Sequence, residues 1–547
     1  MISNDYKPKI GIMLENLKHN GFNGELISSL FLNKSVKIDC LIINKKNQTS
    51  IFKRYSIVKI IEKILFKILT VIENILFNLF FKSFSFKKID LSQKNIEKIY
   101  LEPIFGNKNN FCTYNEKDIS KIAERELDAI IRIESGIIKG EILKITKKGI
   151  ISFHHGDNEI YRGLPPGFWE VYNKNPSTGF IIQKLNEELD EGDVLFKGSV
   201  ITKLFYLYNQ LFVYKQSVKH FNKTVNNYLT NNNFEFIKKD NHDTKIYKEP
   251  NFFELLRYIF LTYLFLIKKI FLKILKFKEI WSIAFIRDKF DKKNLEKFTK
   301  IANPKGRFIA DPFLVKHDQK NYVFVEDFNL KKKQGSISCF KLENNKSRFL
   351  GKILEEDFHL SFPFIFKFND TFYMCPETRE KKDIRLYKCV DFPLKWVFHK
   401  TLIKNIFAVD TLIFNRDNIW WLLTNTDKNN LDASSELSIY FSRNGPLTEH
   451  WTPHQNNPII SLTEKARNAG LVMDNEKIFR ISQRAGFNNY GMEFDINEIQ
   501  TINEKNYDEK KLDNIKPIFF DDIVGTHHLS FNDEYSVIDI KKNMIKF

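Results

Sequence analysis

The chain has 547 residues, a length that corresponds to about two to four domains, each long enough to bury its own core. Lys and Arg outnumber Asp and Glu by 18, and 43% of the residues are hydrophobic, which excludes a disordered, collagen-like or acidic-tail protein. Only 15 of the 85 basic residues are arginine, the residue that reads bases and grips phosphates, so we expect no nucleic-acid partner.

Strand-like and helix-like segments alternate in the first part of the chain. The predicted strands are Lys9–Met13, Lys37–Ile43, Ala129–Ile133 and Gly149–Phe153, and the predicted helices are Ile119–Glu126 and Lys139–Ile145. This rhythm predicts an α/β domain over residues 1–215 with a doubly wound parallel sheet. Ligands bind such sheets at the carboxyl ends of the strands, where the polar run His154–Glu159 follows the last predicted strand.

Two long helices follow from the hydropathy pattern. Tyr55–Phe81 has one narrow polar stripe, formed by Lys59, Lys63, Lys67, Thr70, Asn74 and Asn78. Phe252–Lys276 contains the apolar run Tyr258–Ile267, which at about ten residues is too short to cross a bilayer. Residues 216–280 are predicted to be a helical amphipathic linker. Its basic helix either lies on an anionic membrane surface or packs between the domains.

From Trp281 onward the chain consists of short, aromatic-rich strands that repeat. The repeats begin at Asp311, Ser361, Asp410, Arg467 and His527, with spacings of 50, 49, 57 and 60 residues. In each repeat an apolar strand, a polar turn and a second strand follow one another. Repeats of about 50 residues made of short strands indicate propeller blades. Residues 281–547 are therefore predicted to form an all-β five-bladed propeller.

The cysteines and the N-terminal residues indicate the cellular compartment in which we expect the protein. Five cysteines without CxxC or CxxxC spacing indicate neither a disulfide framework nor a zinc site. The opening segment MISNDYKPKIGIM lacks the apolar core of a signal peptide. We expect a cytoplasmic protein, peripheral to the inner face of the membrane if the basic helix binds lipid.

Four short motifs stand at fixed spacing between Gly149 and Leu195. They are His154, Arg162-Gly163, Thr178-Gly179 and Leu189-Asp190, with Asp190 placed 36 residues after His154. In this pattern the segment resembles the folate-dependent formyltransferases, which act on methionyl-tRNA, glycinamide ribotide or nucleotide-linked amino sugars. The resemblance covers about residues 95–200. It implies a formyltransferase-like fold with 10-formyltetrahydrofolate as the formyl donor.

The resemblance implies roles for the matched residues. His154 would move the proton of an attacking amine, and Asp190 would hold or polarise its imidazole. The family's oxyanion-donating Asn falls on Ser152, and loss of such a donor typically costs on the order of 100- to 1000-fold in rate. The predicted substrate-binding residues are His155, Asp157, Asn158, Tyr161, Arg162 and Gly163. His154, His155, Asp157 and Asp190 could also offer a metal site, but their spacing is not diagnostic, and no metal is predicted.

The repeats of the second half carry a second set of motifs, which includes ADPF (310–313), SFPF (361–364), CPET (375–378), ARNAG (466–470) and GTHH (525–528). They resemble the five-bladed fold of family 43 glycoside hydrolases and, more closely, the propeller of plant glucosamine inositolphosphorylceramide transferases. The resemblance predicts one polar, sugar-type pocket, formed by Asp311, Glu377, Asp410, Arg467, Arg480, Gln483, His527 and His528. The alternative is that these residues only hold blades together.

Hydrolysis by the propeller is disfavoured. Glycoside hydrolysis needs two carboxyl groups, and in the hydrolases the fourth blade supplies the acid. In this chain that blade opens with Ala466-Arg467-Asn468, so the acid is missing. Arginines at 467, 480 and 484 instead suit an anionic group on a glycan or phosphosugar.

Together the two halves predict a formyltransferase-like enzyme of surface-glycan biosynthesis. It would transfer a formyl, or a related one-carbon or acyl group, to an amino sugar held with help of the propeller. The expected partners are an amino sugar, a nucleotide sugar or a lipid-linked glycan. The alternative is a carbohydrate-binding or glycan-processing propeller protein whose formyltransferase domain has decayed, which Ser152 favours. Formylation of tRNA is less favoured, because a propeller replaces the small C-terminal barrel of those enzymes.

Overall fold

The structure is a computed structural model that describes residues 6–45, 56–80, 84–105, 111–187, 192–238, 245–427, 430–474 and 476–546. The chain divides into two compact units, Met1–Leu264 and Phe265–Phe547. The α-helices are α1 Gly21–Phe31, α2 Ile57–Phe80, α3 Glu116–Ala123, α4 Phe168–Tyr172, α5 Tyr206–Thr230 and α6 Phe252–Ile274, of which α6 crosses the boundary.

Fourteen strands lie in the first unit as the structure describes it. They are β1 Lys9–Leu14, β2 Lys18–His19, β3 Lys37–Asn44, β4 Ile89–Asp90, β5 Glu97–Leu101, β6 Ile104–Phe105, β7 Phe111–Thr113, β8 Ala129–Arg132, β9 Ile137–Ile138, β10 Ile150–His154, β11 Arg162–Gly163, β12 Ser177–Lys184, β13 Asp193–Ile201 and β14 Ile246–Tyr247. The main sheet has the order β13-β12-β10-β8-β1-β3-β5.

Five strands of this sheet, β1, β3, β5, β8 and β10, pair in parallel. Alternate residues of β1 and β8 pack on opposite faces of the sheet. Helices α1 and α5 cover the face that includes Ile12, and α3 covers the face that includes Ile130. The predicted doubly wound sheet is confirmed. It ends in the antiparallel strands β12 and β13, since the short connection between them cannot make a parallel crossover.

Several element boundaries differ from the sequence prediction, and the helix predicted at Ile119–Glu126, for example, is α3 at Glu116–Ala123. The segment predicted as a helix at Lys139–Ile145 contains a short 3-10 helix at Glu141–Lys144. Helix α2 occupies Ile57–Phe80, while positions 55 and 81 of the predicted helix lie outside the described residues. The predicted domain end at residue 215 and the start of the linker at 216 are wrong. Both fall within α5, whose residues Phe221, Val225 and Leu229 pack into the core of the first unit.

Strands make up most of the second unit. They are β15 Phe277–Ile286, β16 Thr299–Ile301, β17 Arg307–His317, β18 Lys320–Asn329, β19 Gln334–Glu343, β20 Lys346–Leu354, β21 Ser361–Phe368, β22 Thr371–Glu377, β23 Asp383–Asp391, β24 Lys395–Lys404, β25 Ala408–Arg416, β26 Ile419–Thr426, β27 Leu437–Ser442, β28 Thr452–Pro453, β29 Asn468–Asp474, β30 Lys477–Gly486, β31 Asn489–Ile502, β32 Tyr507–Ile515, β33 Ile523–Gly525, β34 Leu529–Phe531 and β35 Ser536–Lys546.

These strands form successive antiparallel sheets in chain order. Four sheets have four strands each, β17–β20, β21–β24, β25–β28 and β29–β32. The next sheet has the order β16-β15-β35-β33, and β34 pairs with β35. Because β15 pairs with β35, this sheet unites the beginning and the end of the unit. The described sheets thus match the predicted repeats in number.

The polar turns of the repeats form tight hairpins. At the turn between β17 and β18, Asp318 and Gln319 both have positive φ, and the same holds for the turns at 369–370 and 417–418. Two consecutive residues with positive φ are what a type I′ turn requires, and Asn and Asp accept that conformation better than most residues. The local sequence therefore fixes the inner hairpin of each of these sheets.

A β-bulge marks the same place in the first strand of four sheets. The bulges lie between Ala310 and Phe313, Ser361 and Phe364, Val409 and Leu412, and Asn468 and Leu471. Asp311, Phe362 and Asp410 have positive φ at these bulges. The equivalent of Asp311 is therefore Phe362 rather than the predicted Ser361, and Arg467 precedes the fourth bulge. The predicted repeat positions are wrong by one to two residues at these two sheets.

Candidate functional site

The first candidate site lies at the carboxyl ends of the central strands of the first unit. Ser152 of β10 pairs with Arg132 of β8 on one side and with Gln183 of β12 on the other. These three polar residues thus stand in one row across the sheet. Ser152 lies two residues before His154 along β10. In sheets of this type the strand ends are where ligands bind.

A cavity of 610 Å³ opens beside this row. Its lining includes Arg132, His154, Gly163 and Gln183, together with apolar side chains from Ile137, Ile138, Leu164 and Leu185. Of the predicted residues, His154 and Gly163 line the cavity. Cavities of about 300–1,000 Å³ with apolar walls and a few polar groups are typical of small-molecule sites.

The place predicted to lack an oxyanion donor is surrounded by other donors. Arg132 Nη1 donates a hydrogen bond to Ser152 Oγ at 3.3 Å, and Arg132 also donates to the carbonyl of Ser135. Gln183 is buried, and its side-chain amide carries N–H donors at Nε2 as well as the acceptor Oε1, which makes no hydrogen bond within the described part of the chain. Sequence reasoning missed Arg132 and Gln183. They lie next to Ser152 only because of the strand pairing, which cannot be read from the sequence pattern.

His155 lies on the opposite face of the sheet from His154. Its ring packs against Phe22 at 4.4 Å, Tyr214 at 4.5 Å and Phe153 at 5.3 Å between ring centres. Burial lowers the pKa of His155 to about 3, and the neighbouring His154 adds to this effect. The imidazole is therefore neutral at pH 7. It lines a separate cavity of 320 Å³, together with Arg132 and Ser152.

The predicted polar residues after His155 hold a loop in place. Asp157 pairs with Lys197 at 2.9 Å and accepts the backbone N–H of Glu159 at 3.0 Å. The Thr-Gly motif contributes because a Cβ at Gly179 would lie 2.8 Å from that of Asp157. Asp157 does not line the larger cavity in the part of the chain that the structure describes.

Asn158, Tyr161 and Arg162 also do not line the larger cavity formed by the described residues, whereas Gly163 does. Asn158 and Arg162 are buried, and Tyr161 accepts a hydrogen bond from Asn173. Gly163 has φ of 102°, and a Cβ there would lie 2.0 Å from the carbonyl oxygen of Tyr247, so only glycine fits. Asp190, the predicted partner of His154, lies outside the described residues.

The second candidate site lies in the second unit, where the bulged strands bring polar residues together. Arg467 Nε donates to Asp410 Oδ2 at 2.7 Å, and Gln483 Nε2 lies 3.4 Å from the same oxygen. His527 Nε2 lies 3.5 Å from Asp311 Oδ1. Asp311 and Asp410 lie at bulges and are buried, and bulges commonly re-aim side chains next to binding sites. The structure thus clusters these five predicted residues.

Buried carboxyl groups dominate the electrostatics of this cluster. Burial raises the pKa of Asp311 to about 7, although the adjacent His527 opposes the shift. Burial, reinforced by the charge of Asp410, raises the pKa of Glu377 to about 8. Glu326, which sequence reasoning missed, has its pKa raised well above the usual range by burial and by Asp311. At neutral pH the cluster therefore contains protonated carboxyl groups that can donate hydrogen bonds.

Histidine 527 joins this cluster to a second missed residue. Its Nδ1 lies 2.5 Å from Asp539 Oδ2, so the imidazole bridges Asp539 and Asp311. Although burial lowers the pKa of His527, the Asp539 carboxylate, with smaller contributions from Asp311 and Asp410, raises it above its ordinary value. Trp281 stacks on the His527 ring at 4.1 Å, and the Arg467 guanidinium lies over the Tyr490 ring at 5.1 Å. Aromatic faces beside charged groups suit a sugar ring with an anionic substituent.

Two residues predicted to line the pocket, Arg480 and His528, instead make contacts that hold strands together. Arg480 is completely buried and donates to both carboxylate oxygens of Glu509 and to the carbonyl of Lys465. This bidentate pair ties β30 to β32 within one sheet. The His528 ring packs edge-on against Phe313 at 4.6 Å, and burial lowers the pKa of His528 to about 3. Both residues belong to the packing between strands.

Comparisons with known proteins agree with this division. Residues 297–516 match the family described as glucosamine inositolphosphorylceramide transferase 1, N-terminal. The glucosamine inositolphosphorylceramide transferase 1 of Oryza sativa subsp. japonica is 33% identical over 210 residues, which is 37% of this chain and 28% of that protein. The methionyl-tRNA formyltransferase of Fusobacterium nucleatum is 32% identical over 121 residues, 20% of this chain and 39% of that protein.

The chain joins a formyltransferase-like part to a part that resembles the N-terminal region of glucosamine inositolphosphorylceramide transferase 1. It spans between about a quarter and two-fifths of the length of these relatives. Among solved structures, the family 43 glycoside hydrolase of Bacillus licheniformis is 14% identical with a TM-score of 0.30, covering 38% of this chain and 44% of that protein.

Proposed function

We propose that the first unit is a formyltransferase, which transfers a formyl or related one-carbon or acyl group to an amine. The observation that carries the proposal is the position of His154. It lies at the end of β10, lines the 610 Å³ cavity, and shares that cavity with Arg132 and Gln183. The 32% sequence identity to the methionyl-tRNA formyltransferase of Fusobacterium nucleatum, over 121 residues, supports the same chemistry.

In this proposal the amine nitrogen attacks the formyl carbon, and His154 accepts the proton that the nitrogen loses. The carbonyl oxygen becomes negative in the tetrahedral intermediate. Arg132 and the amide of Gln183 stabilise that charge in place of the amide that Ser152 lacks. The intermediate then expels the donor nitrogen, which receives the proton from His154. The apolar walls at Ile137, Ile138 and Leu164 suit the flat ring system of a donor such as 10-formyltetrahydrofolate.

The acceptor in this proposal is an amino sugar, free or carried on a nucleotide or lipid. We propose that the sheets of the second unit close into a five-bladed ring around the Asp311–Asp410 cluster and that this cluster binds the sugar. Inner strands are already linked across neighbouring sheets, because Phe362 donates its N–H to Asp311 and Leu314 donates to Ser530. The protonated carboxyl groups, Arg467 and Trp281 offer the hydrogen bonds and stacking that sugars use.

Product formation by the full chain tests the transfer. The protein is incubated with 10-formyltetrahydrofolate and a nucleotide-linked amino sugar, and the N-formyl sugar is measured by mass spectrometry. His154→Ala is expected to abolish the product, and Gln183→Leu to lower the rate on the order of 100-fold. The exposed His450→Ala is the matched control. Full activity of His154→Ala in a cooperatively folded protein would refute the proposal.

The second candidate is a carbohydrate-binding or glycan-processing protein whose formyltransferase site no longer works. Its supporting observation is Ser152, whose hydroxyl is held by Arg132 where the family has an amide. A glycan array probed with the full chain separates the two candidates. If glycan binding is lost in the double variant Asp311→Asn with Arg467→Met, while no amino sugar is ever formylated, the second candidate is supported. Arg443→Met, an exposed arginine of the same unit, is the control.

A further inference from the structure

Helix α2 packs on the first unit through a side that contains both of its carboxylates. Glu62, Leu69, Glu73 and Phe77 are buried, and they recur at steps of four or seven residues along one side of the helix. An ordinary surface helix buries its apolar side and exposes its carboxylates. Helix α2 therefore reverses the usual placement of its carboxylates, which it buries together with Leu69 and Phe77.

The two buried carboxylates fix this orientation through hydrogen bonds. Glu73 accepts the backbone N–H of Leu207 at 2.7 Å and the hydroxyl of Tyr258 at 2.5 Å. Glu62 accepts the backbone N–H of Phe252 at 3.1 Å. Glu73 and Glu62 thus accept hydrogen bonds from N–H groups in the first turns of α5 and α6. Such N–H groups have no acceptor within their own helix. Turning α2 around would expose these carboxylates and leave those groups unsatisfied.

The reversed orientation leaves an apolar surface on the outside of α2. We call it the outer face, formed by Ile61, Ile64, Ile68, Ile72, Ile75 and Leu79. Their exposed fractions range from 43% to 70%. Single exposed apolar residues are normal on a protein, whereas a continuous row along a whole helix marks an interaction surface.

Helix α6 repeats the arrangement within the first unit. Leu255, Tyr258 and Thr262 are buried, while Phe253, Leu256, Phe260 and Leu264 are exposed at steps of three and four residues. The hydrogen bonds of Glu62 to Phe252 and of Glu73 to Tyr258 join α6 to α2 at two points. Two neighbouring helices of one unit therefore each expose an apolar row.

Lysines predominate on the exposed polar side of α2, where Lys59 pairs with buried Glu62 at 3.2 Å and Glu249 lines the same pocket as the lysines. Lys59, Lys63 and Lys67 recur every four residues along one edge of α2. Both carboxylates of α2 are buried, and Arg257 is exposed beside the apolar row of α6. A second copy of this chain would bring two rows of lysines together, whereas an anionic lipid surface neutralises them.

No helix among the described residues has the length and apolar character to cross a bilayer. We propose that the outer face of α2 and the exposed row of α6 lie flat in the surface of an anionic membrane, with the lysines at the headgroups. Helices of this kind bury an apolar face to about 5–10 Å and bind in proportion to that area and to the lipid charge. The proposal is independent of the transfer reaction and concerns where the protein acts.

Vesicle flotation of the full chain, without substrates, tests the proposal. Vesicles of phosphatidylcholine with phosphatidylserine are expected to bind the protein, and pure phosphatidylcholine to bind it much less. Ile64→Ser with Ile68→Ser should weaken binding on the order of 10- to 100-fold, because two apolar side chains no longer enter the lipid. Val390→Ser with Leu394→Ser, which are similarly exposed in the second unit, is the matched control.

The lysines have their own test. Lys63→Gln with Lys67→Gln should weaken binding to the anionic vesicles by about tenfold or more and reduce its dependence on salt. Lys331→Gln with Lys346→Gln, exposed lysines of the second unit, should have little effect. Failure of the folded wild-type chain to float with anionic vesicles would overturn the proposal. So would a dimer, seen by sedimentation, that Ile64→Ser with Ile68→Ser dissociates without any lipid binding.

Discussion

Glu170 is a buried carboxyl whose charge should lower the stability of the first unit as the pH rises. It lies in α4, is 2% exposed, and its Oε1 makes no hydrogen bond within the described residues. Burial, with a contribution from the charge of Asp157, raises the pKa of Glu170 from 4.5 to about 8. The folded state therefore binds this proton more tightly than the unfolded state does.

The size of the effect follows from the pKa difference. Below pH 4.5 the carboxyl is protonated in both states and costs nothing, and between pH 4.5 and 8 stability falls by about 1.4 kcal/mol per pH unit. At pH 7 the cost is about 3 kcal/mol. Glu170→Gln keeps the shape and removes the ionisation. The variant should therefore be about 3 kcal/mol more stable at pH 7 and nearly equal to the wild type at pH 4.5.

Thermal unfolding of the full chain at several pH values measures this difference. For a unit of this size about 3 kcal/mol corresponds to a rise of about 6–12 °C in the Tm of the first unit at pH 7. Glu124→Gln, an exposed carboxyl of the same unit, is the matched control and should leave the pH profile unchanged. If wild type and Glu170→Gln show parallel pH profiles between pH 4.5 and 8, the reasoning from burial is refuted.

Two further predictions concern packing and charge. Gly163→Ala should destabilise the first unit by more than about 2 kcal/mol in denaturant unfolding, since its Cβ would meet the Tyr247 carbonyl. Gly140→Ala is the control, because Gly140 has positive φ but a Cβ there would meet no neighbour within 4 Å, so its loss of stability reports the backbone strain alone. Equal losses of stability in the two variants would contradict the predicted clash. Arg467→Met should cost about 3 kcal/mol because buried Asp410 loses its partner, and adding Asp410→Asn should recover most of it. A double variant no more stable than Arg467→Met would contradict this account.

Much of the fold could be predicted because its cause is local in the sequence. Alternating apolar strands and helices predicted the doubly wound sheet, since each element must bury one face against its neighbours. The repeated strand–turn–strand segments predicted the sheets of the second unit, because turns such as Asp318-Gln319 and Asn369-Asp370 set tight hairpins by their own conformation. Hydropathy and turn chemistry act over a few residues, so the sequence displays them directly.

The candidate sites were predicted only in part, because a site is assembled across strands. His154 could be placed at a strand end from its motif. Arg132 and Gln183 could not, since they stand 22 and 29 residues away from it and meet Ser152 only through the register of β8, β10 and β12. In the second unit Asp311 and Asp410 were predicted to converge. Glu326 and Asp539 were missed because they lie on later strands of their repeats.

The direction in which helix α2 faces was decided by tertiary structure alone. Its sequence determined that it is a helix with an apolar surface and a stripe of lysines and asparagines. Hydropathy by itself would turn the apolar surface inward. Hydrogen bonds from Leu207, Phe252 and Tyr258 to Glu73 and Glu62 turn it outward instead. Groups more than a hundred residues apart make these bonds, so a local pattern along the chain could not contain that choice.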